Sequence, residues 1–506
     1  MGENQKPHNL LWKGIAWGCL AAVFLVPALL FGPHVVDDAF ITFRYARNLS
    51  LGRGVVYNPG ERVQGSSTPL FTLILGAMGT LGIDISKAAL GLGFLAGFAT
   101  LVLLVRGGSI LGRERAGWLA ATALSTQLVW VLLLVSGMET ALYTMIVMAT
   151  LFTVSLEKWK WTGPLCALAC LVRYDGAILV VSVLTILVWR AGIKLAIREA
   201  IKTAIIYTPW FLFACLYFGN PFPQSVKAKL IIDPLSWKGL FLQYALLLEF
   251  VPQWGFWLVL AVWGMIRAAR RNPPRLIFPL WCGLYLLIFI LGKRAVFFYP
   301  WYLVPLFPPI LLLGAWGLFD GLQGISLFLR KKSRRLHLQH PDRVAMLIGS
   351  AILVFQVIHV AGWYGDMGNP GFHREKKYEV AAGIIGDLVK PGESIYVGEV
   401  GTIGWHLPDN YIIDSAGLLS PRVTEIRRLD RENLVRLGKN PLHYPDGTTS
   451  VTLMAIEEFK PDYISSAKGF LFLDELKDEP SFRRRYEMIS HPRLEVVDQY
   501  LFRRKR

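Results

Sequence analysis

The chain has 506 residues, of which 54% are hydrophobic and only 18% are charged, whereas soluble domains average about 25% charged residues. Its mean hydropathy is +0.43. This composition excludes an ordinary soluble protein and predicts a polytopic membrane protein. The formal net charge of +17 would suggest a nucleic-acid partner in a soluble chain. Here Lys- and Arg-rich cytoplasmic loops explain it, so we expect a lipid bilayer and no nucleic acid as partner.

Apolar segments of near-spanning length recur through the first two thirds of the chain. A bilayer crossing by a helix takes about 20 apolar residues, and on this basis we predict about eleven transmembrane helices. The candidate spans are residues 12–32, 88–105, 116–135, 139–156, a short 163–171, 176–190, 201–217, 243–266, 275–292, 301–319 and 343–363.

A further apolar segment, Pro69 to Leu81, is too short to cross a bilayer, and we expect it to lie in the outer interface. Leaving it out places Arg106, Arg113 and Arg115 on the same side as the run from Arg330 to Arg335. The positive-inside rule makes that side cytoplasmic. The first hydrophobic segment then reads as a retained anchor with a cytoplasmic N-terminus. The first loop and everything after Trp363 face outward.

We therefore predict two domains in a multi-pass protein of the cytoplasmic (inner) membrane. Residues 1–363 form a transmembrane domain whose first outer loop is 33–87, and residues 364–506 form a small extracytoplasmic α/β domain. In the second, Ser394–Val400 and Tyr411–Ala416 have the pattern of short strands, and Lys376–Lys390 that of an amphipathic helix. The five cysteines all precede this domain.

The first outer loop opens with two adjacent carboxylates, Asp37 and Asp38, followed by AFITFRYARNL, which has helical spacing. Charges beside a membrane span cost free energy, so the pair is a candidate functional site. One Asp could instead cap the helix, but that explains one carboxylate only. The pair could also supply a general base or bind a divalent cation such as Mg²⁺, Mn²⁺ or Ca²⁺. Further on, YNPGERV predicts a tight turn at Pro59-Gly60.

This loop, DDAFITFRYARNLSLGRGVVYNPGERVQGSSTPL, resembles the first periplasmic loop of the GT-C membrane glycosyltransferases. Within that superfamily it is most similar to the branch that adds terminal β-1,2-arabinofuranose to cell-wall arabinan. Matching segments follow in order, with Tyr174 in place of a usual Pro. They are SGMETALY (136–143), LVRYDGAIL (171–179), FGNPFPQSVKAKL (218–230) and GEVGTIGWHLPDNYIIDSAGLLSP (398–421).

The resemblance implies a GT-C fold, a polyprenyl-phosphate-linked sugar donor, inverting transfer and a catalytic Asp from the first-loop pair. The chemistry of the residues agrees with it. A sugar hydroxyl needs a positioned base as it attacks the anomeric carbon, and a lipid-phosphate leaving group needs charge stabilisation more than a general acid. We expect Asp37 to be the base and Asp38 to support it, by capping the helix or holding a cation.

Outward-facing basic residues are the candidates for binding the donor phosphate: Arg173, Lys227, Lys229, Lys293 and Arg294. Three of them have an alternative role. Lys293 and Arg294 sit where snorkelling cations are common, and Arg173 could instead pair with Asp175. Further candidates for substrate binding are Arg44, Thr68, Glu139, Asp175, Tyr299 and His406, with Glu399 beside them as an acceptor contact.

We expect a glycosyltransferase that moves a sugar, arabinofuranose or another pentose, to an envelope glycan, glycolipid or protein on the outer face of the membrane. A transporter or flippase of lipid-linked sugars is the alternative from another class. It would need charged residues along a path through the membrane, whereas the acidic residues here lie at the outer ends of spans. An inactive glycan-binding scaffold is a third alternative.

Overall fold

The structure is a computed structural model that describes residues 6–231, 241, 253–271, 273–291, 300–332, 339–365, 370–436, 449–469 and 473–505. Helices dominate it, and a small sheet lies near the C-terminus. Both features confirm the coarse part of the predicted fold class, a mostly helical chain with a small C-terminal α/β region.

Fifteen helices precede the C-terminal region in the described part of the chain. They are α1 (Lys6–Phe31), α2 (Asp37–Ser50), α3 (Pro69–Thr80), α4 (Ile85–Ile110), α5 (Glu114–Ser125), α6 (Leu128–Leu134), α7 (Thr140–Ser155), α8 (Thr162–Val172), α9 (Gly176–Ala191), α10 (Ile193–Phe218), α11 (Gln224–Ile231), α12 (Gln253–Arg271), α13 (Ile277–Leu291), α14 (Phe307–Lys332) and α15 (Pro341–Gly365).

The C-terminal region alternates helices and strands. Its helices are α16 (Pro370–Leu388), α17 (Val400–His406), α18 (Pro421–Arg436), α19 (Thr449–Phe459), α20 (Leu473–Leu476), α21 (Pro480–Arg485) and α22 (Pro492–Val496). Its strands are β1 (Ser394–Val397), β2 (Tyr411–Asp414), β3 (Tyr463–Ala467), β4 (Tyr486–Met488) and β5 (Gln499–Arg504).

Four helical segments in the described part of the chain are long and apolar enough to cross a membrane: α4, α10, Val304–Lys331 and Pro341–His359. The predicted span 116–135 is a bent pair instead, because α5 and α6 meet at an angle of 70°. Several other predicted spans are apolar helices of 10–17 residues. The chain is a multi-pass membrane protein, and the count of about eleven crossings stays a prediction.

The pattern of contacts between residues divides the chain into two compact units. The first contains residues 1–34, 90–207 and 234–366, and the second contains residues 35–89, 208–233 and 367–506. The predicted domain boundary at residue 363 follows chain order and stays a prediction.

In the first unit, glycines let α12 and α14 approach closely. A Cβ on Gly264 would overlap the Leu313 carbonyl, and one on Gly317 would overlap the Leu260 carbonyl. Small residues bring helices together in this way inside membranes, where dispersion contacts replace the hydrophobic effect. Near the same helices Arg267 Nε donates to the buried Asp320 carboxylate at 2.7 Å, so that charge is compensated.

The second unit contains a five-stranded sheet of order β2-β1-β3-β5-β4. β1 pairs in parallel with β2 and β3, whereas β5 runs antiparallel to β3 and β4. Side chains alternate between the two faces of a strand, so Ile395 and Ile412 join one core while Tyr396 and Ile413 join the other. This confirms the predicted α/β arrangement.

Residues of the first outer loop belong to one of these two cores. Ile41, Tyr45 and Val55 pack with Ile395 and other buried residues of α16, α17 and the sheet. The predicted tight turn is present: Glu61 N–H donates to the Asn58 carbonyl at 3.1 Å, and Gly60 has φ 93°, as a type II turn requires after Pro. The loop is thus part of a folded unit with the C-terminal sheet.

Candidate functional site

Helix α2 begins at the carboxylate pair. Val36 is its N-cap, and Asp37 and Asp38 are its first two residues. The alternative that one Asp caps its own helix is therefore wrong. Glu375 of α16 supplies a cap instead, since its Oε2 accepts the Asp37 N–H at 2.9 Å. Acidic side chains in the first turn complement the positive end of the helix dipole.

The Asp37 carboxylate binds the start of another helix. Its Oδ1 accepts the Thr402 N–H at 2.7 Å, and its Oδ2 accepts the Gly401 N–H at 3.1 Å. These are N–H groups that the first turn of α17 cannot satisfy internally. The close approach depends on Gly401, because a Cβ there would overlap the Asp37 carbonyl. Asp37 is thereby held in one orientation.

Arg44 binds carbonyls at the other end of α17. Its Nη1 donates to the Gly404 carbonyl, and to that of Leu407 at 3.0 Å. The remaining donors go to the Tyr57 and Asn410 carbonyls at 2.8 and 2.9 Å and to Asn58 Oδ1 at 3.4 Å. A guanidinium has five N–H donors, so all of them are used inside the protein. These contacts do not support the predicted substrate contact of Arg44.

Asp37 and Arg44 therefore act together on α17. Seven residues along α2 span about 10 Å, which matches the length of the seven-residue α17. The Asp37 carboxylate lies at the N-terminus of α17 and the Arg44 guanidinium at its C-terminus, and this arrangement complements the helix dipole at both ends. We call this set of contacts, from Asp37 to Gly401 and Thr402 and from Arg44 to Gly404 and Leu407, the α2–α17 clamp.

Charge and burial change the acidity of Asp37. Burial, the nearby Glu375 carboxylate and Asp38 raise its pKa to about 7, although the hydrogen bonds from Thr402 oppose this rise. Burial also raises the pKa of Glu375, and the Arg374 guanidinium at 2.8 Å from its Oε1 counteracts part of that rise. The site thus holds a half-buried carboxyl group that titrates near neutral pH.

Asp38 has a different environment. It is half-buried, and within the described ranges of the chain its carboxylate has no hydrogen-bond or ion-pair partner. Asp38 is therefore the carboxylate of the pair that is available to a ligand. No group of three or more His, Cys, Asp or Glu residues that could hold a metal ion occurs among the described residues, so the predicted divalent-cation site at Asp37 and Asp38 stays a prediction.

The other predicted site residues of the second unit differ in burial and in their contacts. The Thr68 hydroxyl is buried in a hydroxyl cluster, 3.3 Å from Thr42 Oγ1 and 3.1 Å from Ser66 Oγ. On α11, Lys227 is exposed and Lys229 half-buried. The exposed His406 ring has Nδ1 2.9 Å from the Thr402 carbonyl oxygen.

Glu399 is buried, and its Oε1 accepts the Ala467 N–H at 3.0 Å. The Glu399 carboxylate also accepts from Gln499 Nε2 at 3.2 Å, which ties the residue before α17 to β3 and β5. These bonds favour a structural role for this side chain over contact with an acceptor.

The first unit brings together three of the predicted residues. The buried Arg173 guanidinium donates to Glu139 Oε1 at 3.1 Å and to Asp175 Oδ1 and Oδ2 at 3.0 and 2.8 Å. Tyr285 Oη donates to Asp175 Oδ2 at 2.8 Å. Two carboxylates thus neutralise the one guanidinium, so the alternative pairing of Arg173 with Asp175 is present, and its binding of a donor phosphate stays a prediction.

Three more predicted residues lie outside the described part of the chain: Lys293, Arg294 and Tyr299. Conversely, Glu375 is a residue of the site that sequence reasoning missed. It lies in HREKKYEV (373–380), where a charged helix face is the ordinary interpretation. Gly401 lies inside the segment GEVGTIGWHLPDN. A glycine permits close approach of another backbone, so this residue was the sequence signal for the contact with Asp37.

The fold of the chain is similar to that of solved membrane enzymes whose sequence identity to it is low. The structure of ArnT from Cupriavidus metallidurans bound to undecaprenyl phosphate matches with a TM-score of 0.57 and 14% identity, covering 97% of each chain. The Archaeoglobus fulgidus oligosaccharyltransferase tethered with an acceptor peptide matches with a TM-score of 0.54 and 12% identity, covering 96% of this chain and 74% of that one.

Two sequence comparisons are more local. Residues 369–503 match the family model described as a domain of unknown function, DUF8728. The terminal beta-(1->2)-arabinofuranosyltransferase of Mycobacterium tuberculosis is 35% identical over 75 residues. That match covers 14% of this chain and 12% of the curated relative.

Proposed function

We propose that this protein is a membrane glycosyltransferase that transfers a sugar from a polyprenyl-phosphate donor to an envelope glycan, glycolipid or protein. The observation that supports this most directly is the carboxylate pair of α2, with Asp37 oriented by two backbone N–H groups. A related fold has been seen with undecaprenyl phosphate bound, which supports the class of donor. The local similarity to an arabinofuranosyltransferase favours arabinofuranose or another pentose.

Asp37 is the base in this proposal. Its carboxylate uses one acceptor position on each oxygen for the α17 N–H groups, and a carboxylate offers about four such positions in all. A pKa of about 7 also suits a general base at neutral pH, because it combines an ionised fraction with useful basicity. Asp38 faces the ligand as a supporting carboxylate and orients the attacking hydroxyl.

In the proposed transfer step, the acceptor oxygen attacks the anomeric carbon, its proton passes to the Asp37 carboxylate, and the bond from that carbon to the phosphate oxygen breaks. The polyprenyl phosphate leaves with the bonding electron pair, and the configuration at the anomeric carbon inverts. Lys227 and Lys229 of α11 are the described cations that we propose to stabilise the leaving phosphate.

The test is a comparison of two isosteric variants in a reconstituted transfer assay with a synthetic polyprenyl-phosphate arabinofuranose. Asp37→Asn should lower the turnover rate about 10²- to 10⁴-fold, the usual contribution of a general base, and Asp38→Asn should lower it less. Thermal unfolding of both variants checks that the fold is intact. A larger loss in Asp38→Asn would reverse the two roles, and near-normal turnover in both variants would exclude the pair as catalytic.

A further inference from the structure

Two separate basic runs meet at one end of the C-terminal sheet. Arg483–Arg485 precede β4, Arg503 and Arg504 end β5, and Lys505 follows it. The antiparallel register pairs Tyr486 with Arg504, and the Lys505 N–H donates to the Arg485 carbonyl at 2.7 Å. Paired strands lie about 4.8 Å apart, so strand pairing gathers these charges into one patch.

A groove of about 570 Å³ lies at this patch. Five cationic side chains line it against the single carboxylate of Glu457; the cations are Lys460, Arg484, Arg485, Arg504 and Lys505. We call it the basic groove. Concave sites lined by charge of one sign focus the electrostatic field and attract counter-ions. Its volume also lies within the range of about 300–1,000 Å³ that ligand sites occupy.

Part of this positive charge is not neutralised by the protein. Arg485 pairs with Glu457 at 3.1 Å, and Arg504 pairs with Asp462 at 3.3 Å. By contrast, Lys460, Arg484 and Lys505 are exposed, and within the described ranges none of these three has a carboxylate partner. The groove therefore keeps an excess of cationic donors that can reach a ligand.

Hydrogen bonds to the backbone fix the arrangement. Arg504 Nη1 donates to the Lys460 carbonyl, and Lys505 Nζ donates to the Arg483 carbonyl at 2.7 Å. The Arg504 N–H also donates to the Asp462 carbonyl at 2.8 Å. Donors held in place before binding lose less conformational freedom when a ligand arrives, which separates this groove from a set of freely moving surface cations.

We propose that the basic groove binds an anionic saccharide, one that carries carboxylate or phosphate groups. Arginine and lysine are the side chains suited to such groups. A planar anionic bilayer fits the groove less well, because the site is concave and its apolar lining residues, Ile456 and Tyr486, are buried. The exposed apolar side chains Met488 and Val496 of the same region lie outside the groove.

The groove also gives the proposed function a more specific acceptor. If the protein is a glycosyltransferase, the bound saccharide is a stretch of its acceptor, and that acceptor is anionic. This second statement rests on the proposed function, whereas binding of a saccharide with carboxylate or phosphate groups rests on the charge and shape of the groove. The two can therefore fail separately.

The binding test uses full-length protein in zwitterionic nanodiscs and a fluorescent oligogalacturonate, with neutral dextran of equal length as comparison. Arg484→Gln combined with Lys505→Gln should weaken oligogalacturonate binding about five- to tenfold, since individual ionic contacts at exposed positions are weak. The matched control is Lys390→Gln combined with Arg493→Gln, which removes the same charge at exposed positions outside the groove. It should change the affinity less than twofold.

Equal weakening by the two pairs of substitutions would overturn the groove assignment, as would equal affinity for dextran and oligogalacturonate. Displacement of the saccharide by phosphatidylglycerol vesicles, but not by phosphatidylcholine vesicles, would assign the groove to lipid instead. Transfer assays separate the dependent claim. The groove variant should raise KM for an anionic acceptor while leaving kcat unchanged, and intact binding with no transfer to any acceptor would count against the proposed function alone.

Discussion

Arg44 shows how one buried charge can be structural in a chain where charged residues near the membrane suggest catalysis. All five of its donors go to oxygens of the second unit. We expect Arg44→Lys to lower the free energy of unfolding by about 3 kcal/mol or more, because an ammonium offers three donors and leaves buried carbonyls unpaired. Thermal or denaturant unfolding of the purified protein measures this.

Arg53→Lys is the matched control for that substitution. Arg53 lies on the loop after the same helix, where its exposed guanidinium pairs with Asp409 at 3.4 Å, and exposed pairs contribute about 0–1 kcal/mol. The two Lys variants should therefore differ clearly in stability. Similar stability of both would show that the Arg44 contacts carry no special weight.

The pH dependence of transfer should report on Asp37. Its pKa of about 7 predicts an activity that rises with pH through about 7 as the base ionises. Glu375→Gln keeps an oxygen acceptor for the Asp37 N–H but removes a neighbouring negative charge, so it should lower the Asp37 pKa. The acid limb of the pH–rate profile should move to lower pH, while an unchanged limb would mean that another group controls the rate.

Stability should change with pH in the opposite direction to activity. A raised pKa means that the folded protein prefers protonated Asp37. That contribution to stability is complete below the ordinary pKa of 3.8 and is lost as pH rises through about 7. In Glu375→Gln the loss should occur at lower pH, and unfolding midpoints measured across pH 4–8 check it.

At the scale of residues, sequence could locate the acidic pair but not its partners. Asp37 and Asp38 are conspicuous because charge beside a span is costly. Glu375 lies 338 positions along the chain from Asp37 in an ordinary charged helix, so no local pattern announces it. The same holds for Arg44, which could be identified as polar on its helix but not as a bond donor to carbonyls more than 350 residues away.

Between elements, the α2–α17 clamp depends on the absence of a side chain at Gly401. We expect Gly401→Ala to separate the two helices, since the added Cβ would overlap the Asp37 carbonyl, and a backbone atom cannot move aside as a flexible side chain can. Transfer activity should fall together with protection of the Thr402 amide, measured by hydrogen exchange.

Gly383→Ala provides the control in the same region. It replaces a glycine of α16 whose Cβ would meet nothing within 4 Å, and Ala in a helix is favoured over Gly by about 1 kcal/mol. That variant should be as active as the wild type and slightly more stable. Loss of activity in both glycine variants would point to a general sensitivity to substitution instead of to the clamp.

Elements with a strong local signal were predictable, and those decided by tertiary contacts were not. The apolar helix at 69–80 and strands β1 and β2 lie where length and pattern predict them. The break between α5 and α6 has no Pro or Gly at residues 126–127, the usual signals for a helix interruption. The sequence accordingly favours one span where the structure has a bent pair.

For the whole molecule, the predicted topology depends on α3 not crossing the bilayer. Its twelve residues extend about 18 Å, well short of a hydrocarbon core of about 30 Å. Cysteines introduced in a variant without native Cys can test this. Arg53→Cys and Lys87→Cys lie at exposed positions before and after α3, and Lys158→Cys lies in a predicted cytoplasmic loop.

A membrane-impermeant maleimide should label Arg53→Cys and Lys87→Cys equally in intact cells, since both residues flank a helix that returns to the same side. Lys158→Cys should be labelled only after the membrane is permeabilised. If α3 crosses instead, Lys87→Cys will behave like a site on the opposite side from Arg53→Cys. The sides of all later loops would then change, and α17 would lie on the opposite side of the membrane from the carboxylate pair. The hydrogen bonds that Gly401 and Thr402 of α17 donate to Asp37 exclude this arrangement unless another predicted span is also lost.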